Sequence, residues 1–81
     1  MKDIVIFGAG GHGREIHQLI EDINVRSAQW NFLGFLDGDH AKHGSKLHGF
    51  PVLGDESWLE RNSACHVVVA VGGVPARWRV V

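Results

Sequence analysis

The chain is 81 residues long, with a formal net charge of −1, 44% hydrophobic residues and 21% charged ones. That length suits one small domain, and the near-neutral balance gives no broad electrostatic case for nucleic acid or an anionic membrane. A single cysteine, Cys65, excludes an intrachain disulfide and fits a reducing compartment. No run approaches the roughly 18 apolar residues of a membrane span, and Met1-Lys2-Asp3-Ile4 leads straight into a strand, so a cytoplasmic location is expected.

Ile4 to Phe7 is an unbroken apolar run with β-branched residues, the pattern of a strand buried on both faces of a parallel sheet. Gly8, Gly10 and Gly13 follow at the spacing G-x-G-x-x-G. Ile16, Leu19, Ile20 and Ile23 then recur at i, i+3, i+4 and i+7, which predicts a helix beginning near Gly11 to Arg14 and fading around Asp22 to Val25, with Asn24 helping to end it. His17 lies off that stripe and is expected at the surface.

Ser27 to Trp30 form a loop, and Asn31 to Leu36 read as a second strand closing on Asp37. Gly38 to Gly49 is polar and is read as a loop on the binding side of the sheet. Phe50 to Leu53 is a short extended piece whose entry is set by Pro51. Asp55 is placed to cap a short helix reaching about Arg61, with Trp58 and Leu59 facing inward. His66 to Val71 is another buried strand, ending on Gly72-Gly73. Pro75 suits the first turn of a last helix with Trp78 and Val81 on one face, an apolar stripe that is never completed. The predicted fold is α/β: a small Rossmann-like parallel sheet with flanking helices, truncated in the last helix. Its core should include Ile4, Ile6, Ile16, Leu19, Ile20, Val67 and Val69.

Strand, glycine turn and helix in that order are the context in which a glycine triplet carries meaning. Glycines let the backbone turn sharply and let a ligand approach the main chain, while the helix start offers free N–H groups to a phosphate. A nucleotide or nucleotide-sugar is the ligand this points to. Asp37 ends the second strand, where dinucleotide-binding folds place an acid that accepts hydrogen bonds from a ribose. An NAD-binding redox module therefore stays open, as does a non-catalytic regulatory domain that binds a nucleotide as a signal. His12 opposes the NAD reading: the residue before the third glycine is usually apolar and packs into the sheet, whereas a polar ring there suits contact with a ligand.

Gly8-Ala9-Gly10-Gly11-His12-Gly13-Arg14-Glu15 resembles the opening of the sugar O- and N-acyltransferases related to sialic acid O-acetyltransferase (NeuD), a group that includes the bacterial UDP-amino-sugar N-acetyltransferases of the PglD type. The resemblance continues through Gly34-Phe35-Leu36-Asp37, Gly49-Phe50-Pro51-Val52-Leu53-Gly54-Asp55 and Val69-Ala70-Val71-Gly72. It implies that residues 1–81 are the Rossmann-like domain that binds the acceptor, a nucleotide-sugar or sialic acid. In that family a hexapeptide-repeat domain binds acetyl-CoA, carries the catalytic histidine that acts as general base, and makes the homotrimer. Nothing in this sequence resembles hexapeptide repeats, so no catalytic residue is carried over, and the chain alone is expected to be inactive. Carried over residue by residue, Gly10, Gly11, His12 and Gly13 match the turn that touches the acceptor, Asp37 the acidic strand end near the nucleoside, and Gly72 the turn opening onto the same crevice. Gly73 is a looser match.

The remaining polar clusters read more plainly. His40, His43 and His48 match no closed zinc pattern and are taken as a solvated loop, so no metal is expected. Cys65 and His66 are adjacent on a strand and point to opposite faces, which makes Cys65 a buried thiol rather than half of a dyad. Asp37 with Asp39 is taken as a polar turn rather than a cation site.

Overall fold

A strand that is apolar on both sides must be covered on both sides, so Ile4 to Phe7 calls for layers above and below a sheet. The structure, a computed structural model, describes residues 1–70 and 77–80. Its elements run β1 (Lys2–Phe7), α1 (Gly11–Arg26), β2 (Trp30–Leu36), a 3-10 turn at His40–Lys42, β3 (Lys46–Leu47), β4 (Phe50–Gly54), α2 (Ser57–Arg61), β5 (His66–Val69) and β6 (Arg77–Val80). The strands form one sheet in the order β3-β4-β2-β1-β5-β6. Its centre, β4-β2-β1-β5, is parallel, and each edge is closed by a short antiparallel strand.

Because side chains alternate along a strand, β1 feeds two cores at once. Ile4 and Ile6 point to one face, where they meet Ile20 of α1 with Phe32, Phe35, Val52, Val68 and Ala70. Val5 points to the other, with Leu36, Leu59 of α2, Cys65 and Val67. Asn24 ties the end of α1 to the start of β2: its Nδ2 donates to the Trp30 carbonyl at 2.8 Å, and its Oδ1 accepts from the N–H groups of Gln29 and Trp30. The Asp55 carboxylate accepts from the Ser57 N–H at 2.9 Å and so opens α2 as expected, with Leu59 buried and Trp58 packed against the second core.

Four expectations need correction. The last helix is not formed at 77–80, which lie in β6, antiparallel to β5. The sequence Arg-Trp-Arg-Val alternates with period two, and pairing with β5 satisfies backbone groups that would otherwise line an open sheet edge; Pro75 and Val81 lie outside the described residues. The polar stretch 38–49 is not all loop, since Lys46–Leu47 form β3, hydrogen-bonded to β4. Leu19, expected in the core, is 55% exposed, and Ile16 and Val69 are only partly buried. His17, expected at the surface, is 2% exposed. The buried line of α1 thus runs through Gly13, His17 and Ile20, a rotation of the helix away from the face its aliphatic residues define.

Candidate functional site

In an open parallel sheet, ligands bind at the carboxyl ends of the strands, where connections leave to opposite faces. Here that point lies between β1, which leads into α1 on one face, and β5, which is reached from α2 on the other. The three strand ends are pinned together: the Gly8 N–H donates to the Leu36 carbonyl at 2.7 Å, and the Ala70 N–H to the Phe7 carbonyl at 2.8 Å.

The three motif glycines do different things. Gly8 has φ of +119°, and a Cβ there would overlap the carbonyl oxygen of Ala70. Gly13 lies where α1 crosses the turn, and a Cβ on it would overlap the carbonyl oxygen of Gly8 and lie 3.3 Å from the Phe35 ring. Both are glycine because backbone meets backbone. Gly10 precedes α1 in extended conformation, and a Cβ on it would meet nothing within 4 Å. The space in front of Gly10 is open, and no side chain caps the helix there. The first N–H groups of α1, from Gly11 to Gly13, have no acceptor within the helix.

Asp37 holds this turn in place. One carboxylate oxygen accepts from the Ala9 N–H at 2.9 Å and lies 3.5 Å from the Lys42 Nζ; the other accepts from the Asp39 N–H at 2.8 Å. Burial pushes its carboxyl upward, but the N–H groups of Asp39 and Ala9 and the charge of Lys42 outweigh that and hold it below the ordinary carboxylate value. Lys42 also approaches the Ala9 carbonyl at 3.5 Å, and the His43 Nε2 bonds the Asp37 carbonyl at 2.8 Å. The loop after β2 therefore folds back over the glycine turn. On the sequence alone, Lys42 has no assigned role and His43 is only part of a solvated loop. Their only signal is a cation and an imidazole in the polar stretch just after Asp37, and the 3-10 turn capped by Asp39 is what aims them.

His12 is exposed on the first turn of α1, and among the described residues nothing hydrogen-bonds it. Gly11 shares that turn, and Gly72 lies outside the described residues. The three loop histidines take separate partners: His40 the Asp55 carboxylate at 3.4 Å, His43 the Asp37 carbonyl, and His48 the buried His17. Asp37 and Asp39 each accept an N–H two residues on, so this pair forms a polar turn. Cys65 is buried and its thiol is pushed up by that burial. A cavity of about 300 Å³ lined by Asp3, Trp58, Arg61 and Cys65 lies at the amino ends of the strands, away from the glycine turn.

Strand order, glycine turn and acid-fastened loop define an open α/β domain with its glycine turn at the carboxyl ends of the strands. Residues 3–81 match the PglD N-terminal domain, and the chain belongs to that family, the N-terminal domain of PglD-type sugar acetyltransferases. No curated protein matches the chain.

Proposed function

We propose that the glycine turn binds the acceptor of a sugar O- or N-acetyltransferase, a nucleotide-sugar or sialic acid, for acetyl transfer from acetyl-CoA held outside residues 1–81. The observation that supports this reading is the open space in front of Gly10, at the start of a long helix, within a turn that Asp37 and Lys42 hold in shape. A phosphate or carboxylate placed there meets free backbone N–H groups and the positive end of the helix dipole. His12, exposed on the same turn, is the side chain assigned to contact the acceptor, and Gly72 is assigned to the same crevice. Asp37 serves first to fasten the turn, and the commitment of its carboxylate to Ala9, Asp39 and Lys42 weighs against a role as a free ribose acceptor for NAD.

The test is a Gly10→Val variant, whose Cβ would meet nothing within 4 Å and whose backbone keeps a conformation that any residue adopts. Titration calorimetry with UDP-sugars, free sialic acid and NAD should show binding of a sugar ligand by the wild type and its loss in the variant, with the thermal melt unchanged. Tighter binding of NAD than of every sugar ligand would overturn the reading. Acetyl transfer from acetyl-CoA by the purified 81-residue chain would overturn the placement of the donor outside it.

A further inference from the structure

The turn between β3 and β4 consists of His48 and Gly49, with φ of 54° and 84°. Positive φ at both central positions is what a two-residue hairpin of the type I′ kind requires, and a side chain at the first of them costs some backbone strain. That side chain has a partner. The His48 Nδ1 lies 2.9 Å from the Nδ1 of His17, the one buried polar residue among those described. The His17 ring stacks on Phe32 with centroids 4.2 Å apart and meets the edges or faces of Phe35 and Phe50. Its Nε2 lies 2.9 Å from the Glu21 carboxylate. The titratable groups that face His17 are therefore Glu21 on its own helix and His48 on the hairpin turn, while β2 and β4 present only phenylalanine rings.

The protons in this chain can be assigned. An ionised carboxylate only accepts, so the Nε2 of His17 carries a hydrogen and its Nδ1, when the ring is neutral, is a bare acceptor. The Nδ1 of His48 must then be the donor. A proton added at the Nε2 of His48 leaves that donor in place, and the bond stands. A proton on His17 alone is also tolerated, because a neutral His48 can change tautomer and accept. With both rings protonated, two N–H groups face each other across 2.9 Å and the bond becomes a repulsion.

We propose that His17 and His48 form a proton-counting clasp that fastens the β3–β4 hairpin to α1 with no proton or one added, and releases it when both rings are charged. The burial that makes His17 resist its proton, reinforced by the charge of His48 and only partly offset by Glu21, sets the release on the acid side of the ordinary imidazole range. Release removes the side-chain tie between the hairpin turn and α1, leaving the β3–β4 pairing, at one end of a segment whose other end holds the glycine turn. The chain runs from Lys42 and His43 at Asp37, through the Gly44 N–H bonded to the Val52 carbonyl, into β3 and the His48 turn. Acid would thus loosen the loop that covers the candidate site, whatever ligand that site takes.

The experiment is nuclear magnetic resonance on the full 81-residue chain with ¹⁵N-labelled histidine, titrated downward from pH 8. At the top of the titration the imidazole shifts should report the Nε2–H tautomer of His17 and the Nδ1–H tautomer of His48, with through-space contacts between the two rings. Those contacts should survive the first protonation and vanish with the second, while contacts among Phe32, Phe35 and Ile20 persist. A His48→Asn variant keeps a residue tolerant of positive φ and can both donate to and accept from His17, so its turn should stay docked through the whole range. Ring contacts that persist with both imidazoles protonated, or that vanish with the first proton, would overturn the clasp. So would a His48→Asn turn that releases at the same pH as wild type.

Discussion

Helix α1 carries two contrasting environments within its first two turns. At its start, Gly8 and Gly13 have given up side chains so that main chain can pack on main chain, and Gly10 faces open space. One turn further on, His17 is a large polar ring driven into an aromatic core, with both nitrogens paired. The first region is shaped by what is absent and leaves N–H groups free. The second is filled, and it holds together because each polar atom finds a partner. The difference shows why a ligand is sought at the first and a conformational role at the second: open backbone donors invite an anion, and satisfied buried groups do not.

The comparison is broken most forcefully at Gly8. Gly8→Ala puts a Cβ into the Ala70 carbonyl at a backbone angle that alanine avoids, and should cost about 4 kcal/mol or more in a denaturant melt. Gly10→Val, by contrast, should leave the melt in place, and a similar loss in both variants would erase the distinction drawn among the motif glycines.

Next in size is the choice of helix face. Ile20 is fully buried, and Ile20→Ala should cost about 2–5 kcal/mol. Leu19 is 55% exposed, and Leu19→Ala should shift stability by less than about 0.5 kcal/mol. Equal losses would mean that α1 is rotated from the orientation described.

His12 and His17 make a sharper pair, since one is exposed and the other buried on the same helix. His12→Ala should weaken sugar-ligand binding by about 1–2 kcal/mol, the scale of one polar contact, and should leave stability unchanged. Calorimetry beside a thermal melt checks both; a destabilised domain of unchanged affinity would make His12 a structural plug.

The smallest effect is the pH dependence of stability. Burial holds the folded-state value of His17 below 6.5, so near and below that pH the unfolded chain binds more protons than the folded one. The contribution of His17 is complete above 6.5 and declines as pH falls through its folded value. Asp37 has the same sign at lower pH: its lowered carboxyl contributes above the ordinary 3.8 and loses that contribution as pH falls through the folded value. Denaturant melts from pH 8 to pH 5 should show falling stability for wild type and a flatter profile for His17→Phe. A His17→Phe profile as steep as wild type would remove His17 from the explanation.

Much of this was legible in residue order because it depends on local pattern. Apolar runs at Ile4–Phe7 and His66–Val71 specify strands buried on both faces, the second observed over His66–Val69 with Val71 outside the described residues, and G-x-G-x-x-G between strand and helix specifies a turn where backbone is approached closely. The short helix after Asp55 follows from a side chain reaching an N–H two residues ahead. What pattern could not supply is set by contacts between distant segments. His17 reads as a surface residue until Phe32, Phe35, Phe50 and His48 are brought around it from three other elements. Lys42 and His43 read as solvated until the loop folds back on Asp37. Residues 77–80 read as helix from Pro75 onward, yet they pair with β5, because an open sheet edge offers backbone partners that outweigh a weak local preference for helix. Local sequence carries propensity and periodicity; which polar groups are buried, and which edges are paired, depends on where the rest of the chain lies.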